Sequence, residues 1–277
     1  MLICPVCSAA LRKTAHAFCC EKGHSFDLSA SGYCNLLTGS KAGRFIGDNK
    51  DMVAARRRFL ESGTYDPLRR FLCEELLQLL TVSGRPVSIL DAGCGEGYYT
   101  RAVAEAASHA GLLKAIIGAD ISKAATQYAA KRDRVTQYIT ASSYHLPIAS
   151  GSVDLLLSLF APAPADEFSR ILAPAGTVLQ VVPGAEHLWE LKQAVYENPY
   201  ENREEKHTLD GFSLKGRKKL CYSADIHGAD LIQALFSMTP YAHRTPKEGH
   251  RRLEALTDIT TTLSFVLLFF GREENPT

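Results

Sequence analysis

The residues best suited to chemistry stand together at Leu90-Asp91-Ala92-Gly93-Cys94-Gly95-Glu96-Gly97-Tyr98-Tyr99-Thr100. Gly93, Gly95 and Gly97 alternate in a turn that follows an apolar, β-rich run, Val87 to Leu90, and precedes a helix-compatible segment from Tyr98. Glycine lets a backbone turn sharply and approach a ligand with no Cβ in the way. In a strand–turn–helix setting this is a nucleotide-type cofactor loop. The order Gly-x-Gly-x-Gly behind an acid is not the dinucleotide Gly-x-Gly-x-x-Gly form, which argues against NAD. Asp120 closes the next strand-like run, Ala115 to Asp120, about twenty residues on, where a ribose diol would meet a carboxylate.

A second constellation lies at the amino terminus. Five of the eight cysteines (Cys4, Cys7, Cys19, Cys20 and Cys34) fall in the first 34 residues. Such a cluster reads as metal-binding in a reducing compartment. Cys4-Pro5-Val6-Cys7 and Cys20-Glu21-Lys22-Gly23-His24 are two knuckles that a short hairpin, Leu11 to Phe18, can bring together. Cys4, Cys7, Cys20 and His24 would close a tetrahedron around a structural zinc ion with no open position for water. Cys20 is preferred to Cys19 because Cys-x-x-x-His leaves a workable loop, and His24 to His16 because His16 sits mid-hairpin. Cys73 and Cys221 read as core, Cys94 as a small residue of the glycine loop, and Cys34 as packing.

The elements that must position these groups follow from periodicity. Residues 1–36 form the zinc-binding module; 37–85 form a glycine-rich, mobile linker and a helical segment, with Asp51 as a cap; 86–277 form the main domain. Helices are expected from about Asp51, broken at Ser62-Gly63-Thr64, and from Pro67 to Leu80. Strands are expected at 87–92, 115–120, 135–140, 153–160 and 176–183, alternating with helices at 98–109, 122–132, 164–173 and 186–197. A strand near 218–224, a helix at 227–237, a loop at 238–252 and a strand at 258–271 complete the chain. Such β-α alternation predicts an α/β fold with a mostly parallel, seven-stranded sheet and helices on both faces.

Composition is that of an ordinary globular chain, with 46% hydrophobic and 22% charged residues and a net charge of +1. The apolar run Leu263 to Phe270 is too short to span a bilayer, so no membrane partner is expected. A secretory signal is absent at the amino terminus, and a cytoplasmic location follows by default. Positive charge is local: residues 41–70 carry Lys41, Arg44, Lys50, Arg56, Arg57, Arg58, Arg69 and Arg70 against four acids. Two further basic runs are Lys215 to Lys219 and His243 to Arg252. Such patches suit an anionic partner or are solvated helix faces.

The glycine loop with Asp120 resembles the S-adenosylmethionine site of Rossmann-like methyltransferases. That cofactor needs a polar loop for its amine and carboxylate, which Asp91, Gly93, Gly95, Glu96 and Gly97 supply. Asp120 would accept from the ribose. Ile121, Ser142, Ser143 and Leu146 would frame the adenine, and Phe160-Ala161-Pro162 would end the fourth strand beside the acceptor.

Nearly the whole chain is similar to the bacterial 23S rRNA guanine-N1 methyltransferases, in which a zinc module precedes a Rossmann-like class I methyltransferase domain. The resemblance rests on the Cys4–His24 pattern, Phe26-Asp27, Gly32 to Leu37, Ala55 to Leu60, Gly63 to Leu68 and the glycine loop. Ala161-Pro162, Pro183 to Lys192 and Met238 to Tyr241 extend it; residues 242–277 fit less well. It implies a guanine in a 23S rRNA hairpin, nucleotide 745 or 748, as acceptor, and it implies that Tyr65 and His187 also line the cofactor pocket. A homodimer is open to such a chain.

Guanine N1 carries a proton at neutral pH, so a base would help, and the guanine must leave its stack to react. His187, Glu186 and His243 are the candidates for that base. Arg56, Arg57 and Arg58 could grip phosphates, since consecutive helical residues cannot all pack inward. Two rival readings are a small-molecule methyltransferase with a purely structural zinc module and a non-catalytic zinc-ribbon interaction protein. An intact Asp91, glycine loop and Asp120 count against the second.

Overall fold

The computed structural model describes residues 1–38, 47–202, 208–239, 241–242 and 245–273. Most of the expected linker, and the candidate base His243, lie outside the described residues.

Four short strands open the chain: β1 (Arg12–Lys13), β2 (Ala17–Cys19), β3 (Ser25–Asp27) and β4 (Cys34–Asn35). Helices α1 (Lys50–Glu61) and α2 (Asp66–Ser83) follow. Strands and helices then alternate through β5 (Val87–Ala92), α3 (Tyr98–His109), β6 (Leu113–Asp120), α4 (Lys123–Arg132), β7 (Gln137–Thr140), β8 (Val153–Leu159), α5 (Ala165–Ile171), β9 (Leu172–Pro183) and α6 (Trp189–Val195). The chain closes with β10 (Phe212–His227), α7 (Ala229–Ser237), α8 (Lys247–Glu254) and β11 (Asp258–Arg272).

Local chemistry explains the helix ends. The cap of α1 is Asn49, whose side chain accepts from the Met52 N–H at 2.9 Å, rather than Asp51. Asp51 lies in the first turn, where an acid suits the positive end of the helix dipole. Helix α2 stops at Gly84 in the left-handed region. The segment expected as a loop at 238–252 runs into α8, whose only buried residues are Gly249 and Leu253.

The main sheet has the order β10-β11-β9-β8-β5-β6-β7-β4. Seven of its strands come from residues 86–277, as expected, and the eighth, β4, is a strand of the zinc module paired parallel to β7. Only β9–β11 and β10–β11 pair antiparallel. Alternate residues of the central strands feed two cores. Ile89, Leu157, Leu179, Phe265 and Leu267 face one, with α2, α3, α6 and α7. Leu90, Leu156, Val178, Val266 and Leu268 face the other, with Phe168 of α5 and with Phe18, Cys34 and Leu36 of the zinc module. Burial on both faces is why these strands read as continuous apolar runs. Cys221 departs from the core reading: it is exposed on edge strand β10, where one face has no covering layer.

Gly97, expected among the cofactor contacts, serves packing at the start of α3. Its φ is +82°, and a Cβ there would lie 2.8 Å from the Tyr138 hydroxyl and 3.0 Å from the Ala129 Cβ. A Gly97→Ala chain should therefore lose about 2–4 kcal/mol, from backbone strain and overpacking together. Denaturant unfolding measures this, and a midpoint equal to the parent's would contradict the packing role.

Candidate active site and metal centre

Parallel strands β5, β6, β7 and β8 all present their carboxyl ends to one cavity of about 1140 Å³. Ligands bind at this end of open α/β sheets, because the loops leave a crevice there. Tyr65, Asp91, Gly93, Gly95, Glu96, Asp120, Ile121, Ser142 and His187 all line it. Among the expected site residues, Gly97 packs behind the loop and Leu146 is buried in the core beside the zinc module.

The floor is built by close approach. Gly93 has φ +88°, and a Cβ on it would lie 2.4 Å from the Ala161 Cβ. Only glycine lets the loops after β5 and β8 touch. Asp120 ties loop to strand: its Oδ2 accepts from the Gly95 N–H at 2.9 Å and its Oδ1 from the Ser122 N–H at 2.7 Å.

Buried acids dominate the electrostatics. Burial pushes Asp91 up to about 7, opposed by the Thr100 hydroxyl, which donates to Oδ2 at 2.5 Å, and reinforced by the charge of Asp120. Burial likewise raises Glu96 to about 7, against the pull of Arg132. Arg132 Nη2 lies 2.8 Å from Glu96 Oε2 but outside hydrogen-bonding geometry. Asp91 Oδ1 and both Glu96 oxygens are thus buried without a hydrogen-bond donor. The Arg132 cation already meets Glu96, but Asp91 Oδ1 has no donor; such an acceptor is costly unless a donor or cation meets it, and the ammonium of S-adenosylmethionine's amino-acid end is such a group. The cavity fits that cofactor.

Tyr65 and His187 stand 122 positions apart in the sequence and meet in the cavity wall. The Tyr65 hydroxyl lies 3.5 Å from His187 Nε2, and both rings pack edge-on or tilted against Phe265. His187 Nδ1 accepts from the Ser264 N–H at 3.3 Å, so the neutral ring carries its proton on Nε2. Burial, with the nearby charge of Lys192, pushes His187 down to about 3. Its one lone pair is already spent, so His187 is a wall residue and a donor to Tyr65, not a free base. Glu186 is exposed and outside the cavity lining.

Residues to which the sequence reading gives no role also line the cavity, among them Asp48, Tyr144, Tyr200 and Asn202. Arg56 joins them, 2.6 Å from Asp48, so one of the three consecutive arginines faces inward. Arg57 pairs with Glu61 and covers the ring of Tyr128. Arg58 alone is mostly open to solvent, its side chain 60% exposed and 3.9 Å from Asp230.

In the amino-terminal module the ligand atoms of Cys4, Cys7, Cys20 and His24 lie within 4.8 Å of one another. The Cys7 and Cys20 sulfurs are 3.7 Å apart, and Cys20 Sγ is 3.4 Å from His24 Nδ1. A tetrahedral zinc with Zn–S bonds of about 2.3 Å would set its sulfurs roughly 3.8 Å apart, so the set fits zinc. Cys19 points elsewhere, its sulfur 3.4 Å from the Ser25 hydroxyl, and His16 is exposed. Purified protein should carry one zinc per chain by elemental analysis. Cys20→Ser should lose it and Cys19→Ser should keep it; the reverse pattern would overturn this ligand set.

Known proteins agree with this geometry. Residues 2–41 match the zinc-ribbon family described as "RlmA, N-terminal", and residues 90–180 match the methyltransferase domain family. The chain is 32% identical over 276 residues to the 23S rRNA (guanine(748)-N(1))-methyltransferase of Streptomyces fradiae, covering 96% of this chain and 95% of that one. Two relatives bear the name "Putative 23S rRNA (guanine-N(1)-)-methyltransferase": one from Micromonospora griseorubida, 37% identical over 69% of this chain and 68% of its own, and one from Bacillus subtilis, 29% identical over 96% of each. With a zinc-ligand cluster, a methyltransferase domain and full-length similarity in one polypeptide, the chain belongs to the zinc-ribbon family of 23S rRNA (guanine-N1)-methyltransferases.

Proposed function

We propose that this protein methylates N1 of a guanine in a 23S rRNA hairpin, at the position named for the Streptomyces fradiae relative, 748, rather than 745. The observation that carries the reading is the rim of the cavity. Tyr144, Phe160 and Tyr200 are the only aromatics among the exposed large hydrophobic residues described, at 57%, 44% and 49%, and all three line this one cavity. Exposed aromatic rings at the mouth of a deep pocket suit a planar base that has left its stack. Phe160 is held there at φ +54°, a conformation costly for a bulky residue, with its N–H fixed to the Val181 carbonyl at 3.0 Å. On this reading the protein works in the cytoplasm.

S-adenosylmethionine, when bound, supplies an electrophilic methyl group. Asp91, Glu96 and the backbone at Gly93 and Gly95 would hold its amino-acid end. Asp120, with both oxygens already fixed by backbone donors, would turn its remaining lone pairs to the ribose, and Ile121 and Ser142 would frame the adenine. Tyr65 and His187 would close the wall. The chain's own task is to hold the guanine edge-on and let its N1 proton leave, and much of the rate comes from that positioning.

The decisive experiment is incubation with radiolabelled S-adenosylmethionine and unmethylated 23S rRNA fragments, followed by primer extension. Methyl on N1 blocks Watson–Crick pairing, so a stop is expected opposite 748. Label that enters no RNA, or enters away from this hairpin, would defeat the reading.

Two further outcomes follow. Folded without a ligand, Asp91 keeps a proton that the unfolded chain has lost, between the ordinary carboxylate range and about pH 7. Asp91 therefore lowers stability as pH rises through that window. An ammonium beside it favours the ionised form, so affinity for S-adenosylhomocysteine should rise about tenfold from pH 6 to 8. Calorimetry with 5′-methylthioadenosine, which lacks the ammonium, should show no such rise; parallel curves would remove Asp91 from this role. Arg58, the most exposed of the three arginines and held only by a 3.9 Å surface pair with Asp230, is the one best placed to meet phosphate. Arg58→Ala should weaken RNA binding across sequences and lower the salt slope by about one. An unchanged slope would place the phosphate contacts elsewhere.

A further inference from the structure

The chain buries a lysine that the reading above does not use. Lys192 of α6 is 1% exposed, and no carboxylate lies within ion-pair distance of it among the described residues. Its ammonium donates to the Tyr200 carbonyl at 3.1 Å and to Asn202 Oδ1 at 2.8 Å. It sits 4.9 Å from the ring centre of Tyr241 and 5.2 Å from that of Tyr200. Asn202 Oδ1 also accepts from the Tyr241 hydroxyl at 2.7 Å, and Asn202 Nδ2 donates to the Gly184 carbonyl at 2.8 Å.

Tyr200, Asn202 and Tyr241 line the cavity, whereas Lys192 stands behind them. A buried cation whose direct hydrogen-bond partners are all neutral costs stability, since the charge of Glu201 repays its desolvation only in part. Burial accordingly pulls Lys192 down to about 8. The cost has a visible return: the field of Lys192 crosses the wall and, after burial itself, is a cause of the low value of His187.

We infer that Lys192 is a positioning residue for the acceptor: acting through Asn202 and Tyr241, its charge favours the guanine as its N1-deprotonated anion. The inference rests on the guanine-N1 reading. In this step the N1–H bond breaks, its electron pair stays on the base as charge shared by N1 and O6, and the proton passes to solvent water. A fixed cation in a low-dielectric wall stabilises that charge without reorganising. No general base is then required of His187, whose lone pair is spent.

The other charged and titratable groups facing Lys192 limit what the pH dependence can mean. They are Glu201, which favours the charged lysine, His187, and the tyrosines 196, 200 and 241. From the neighbouring elements come Arg252 of α8, which caps the Val195 carbonyl, and Glu190, which is committed to Thr261 and Thr262 of β11.

The test is the single-turnover methylation rate of a 23S rRNA fragment from pH 6 to 10, with the full chain, Lys192→Met and Asn202→Asp. Methionine keeps the length without the charge. Aspartate cancels the charge in place and keeps the test alive should Lys192→Met fail to fold. Each variant is expected to be about tenfold slower at pH 7, with its profile shifted about one unit alkaline, so that the gap closes toward pH 10. Affinity for S-adenosylhomocysteine should stay within twofold of the parent. A deficit of the same factor at every pH, or an unshifted profile, would overturn the inference and leave Lys192 a packing residue. If the parent chain labels no RNA at any pH, the guanine reading falls and takes this inference with it.

Discussion

Burial of carboxylates at the carboxyl ends of parallel strands is the constraint on which this structure turns. A sheet covered on both faces gives its loops nowhere to lie but at the ends, and at one end the last residues of β5 and β6 carry Asp91 and Asp120 and the loop after β5 carries Glu96. Each acid is held by neighbours that the fold must supply: Thr100 for Asp91, Arg132 for Glu96, and the backbone of Gly95 and Ser122 for Asp120. The glycines are the geometric counterpart. Only a residue without a side chain lets the loop after β5 lie against Ala161, and its amides tie it to the end of β6: the Gly93 and Cys94 N–H groups donate to the Ala119 carbonyl and the Gly95 N–H to Asp120. Acceptors left without donors inside such a floor make the cavity a site for a cationic, hydrogen-bonding ligand.

The zinc module is bound into this arrangement rather than tethered to it. β4 extends the main sheet beside β7, and the Leu36 N–H donates to the Thr140 carbonyl at 2.9 Å. Thr140 also pairs with Thr126 of α4. Phe18 lies between the metal knuckles and a core that includes Leu90 and Ile117 of the cofactor-side strands. A metal that holds Cys20 and His24 in place thus also holds one edge of the sheet whose loops form the cavity. Structural zinc contributes folding energy directly, and here that energy reaches the methyltransferase body through shared packing.

The opposite edge supplies the acceptor wall. Antiparallel β10 and β11 add to the parallel strands, and Phe265 of β11 carries the rings of Tyr65, His187 and Phe160 around it. Helix α6 leaves β9 and places Lys192 behind Tyr200, Asn202 and Tyr241. One half of the cavity is therefore anionic and backbone-lined, the other aromatic with a cation behind it. That asymmetry matches two different occupants, a cationic cofactor and a base that reacts through an anion.

How much of this was legible depends on the range over which each feature is determined. The glycine loop, the two cysteine knuckles, the β-α alternation and helix 98–109 are set by neighbours a few residues apart, and reading along the chain recovers them. Helix α8 reads as a loop along the chain because Leu253 is the one large apolar side chain among its eight mostly charged residues. Cys221 reads as core from its place in an expected strand, and Leu146 as adenine lining from its place after the third strand. Their fates differ because β10 is an edge strand, whereas Leu146 packs under the zinc module. The direction of Arg56, the meeting of Tyr65 with His187 across 122 positions, and the burial of Lys192 against Asn202 have no local signature. Spacing along a helix, strand or turn dictates which side chains share a face, so the elements, the two cysteine knuckles and the glycine loop are written in the sequence. Only the tertiary structure decided which remote faces meet, because that is settled by the packing of two cores on either side of one sheet.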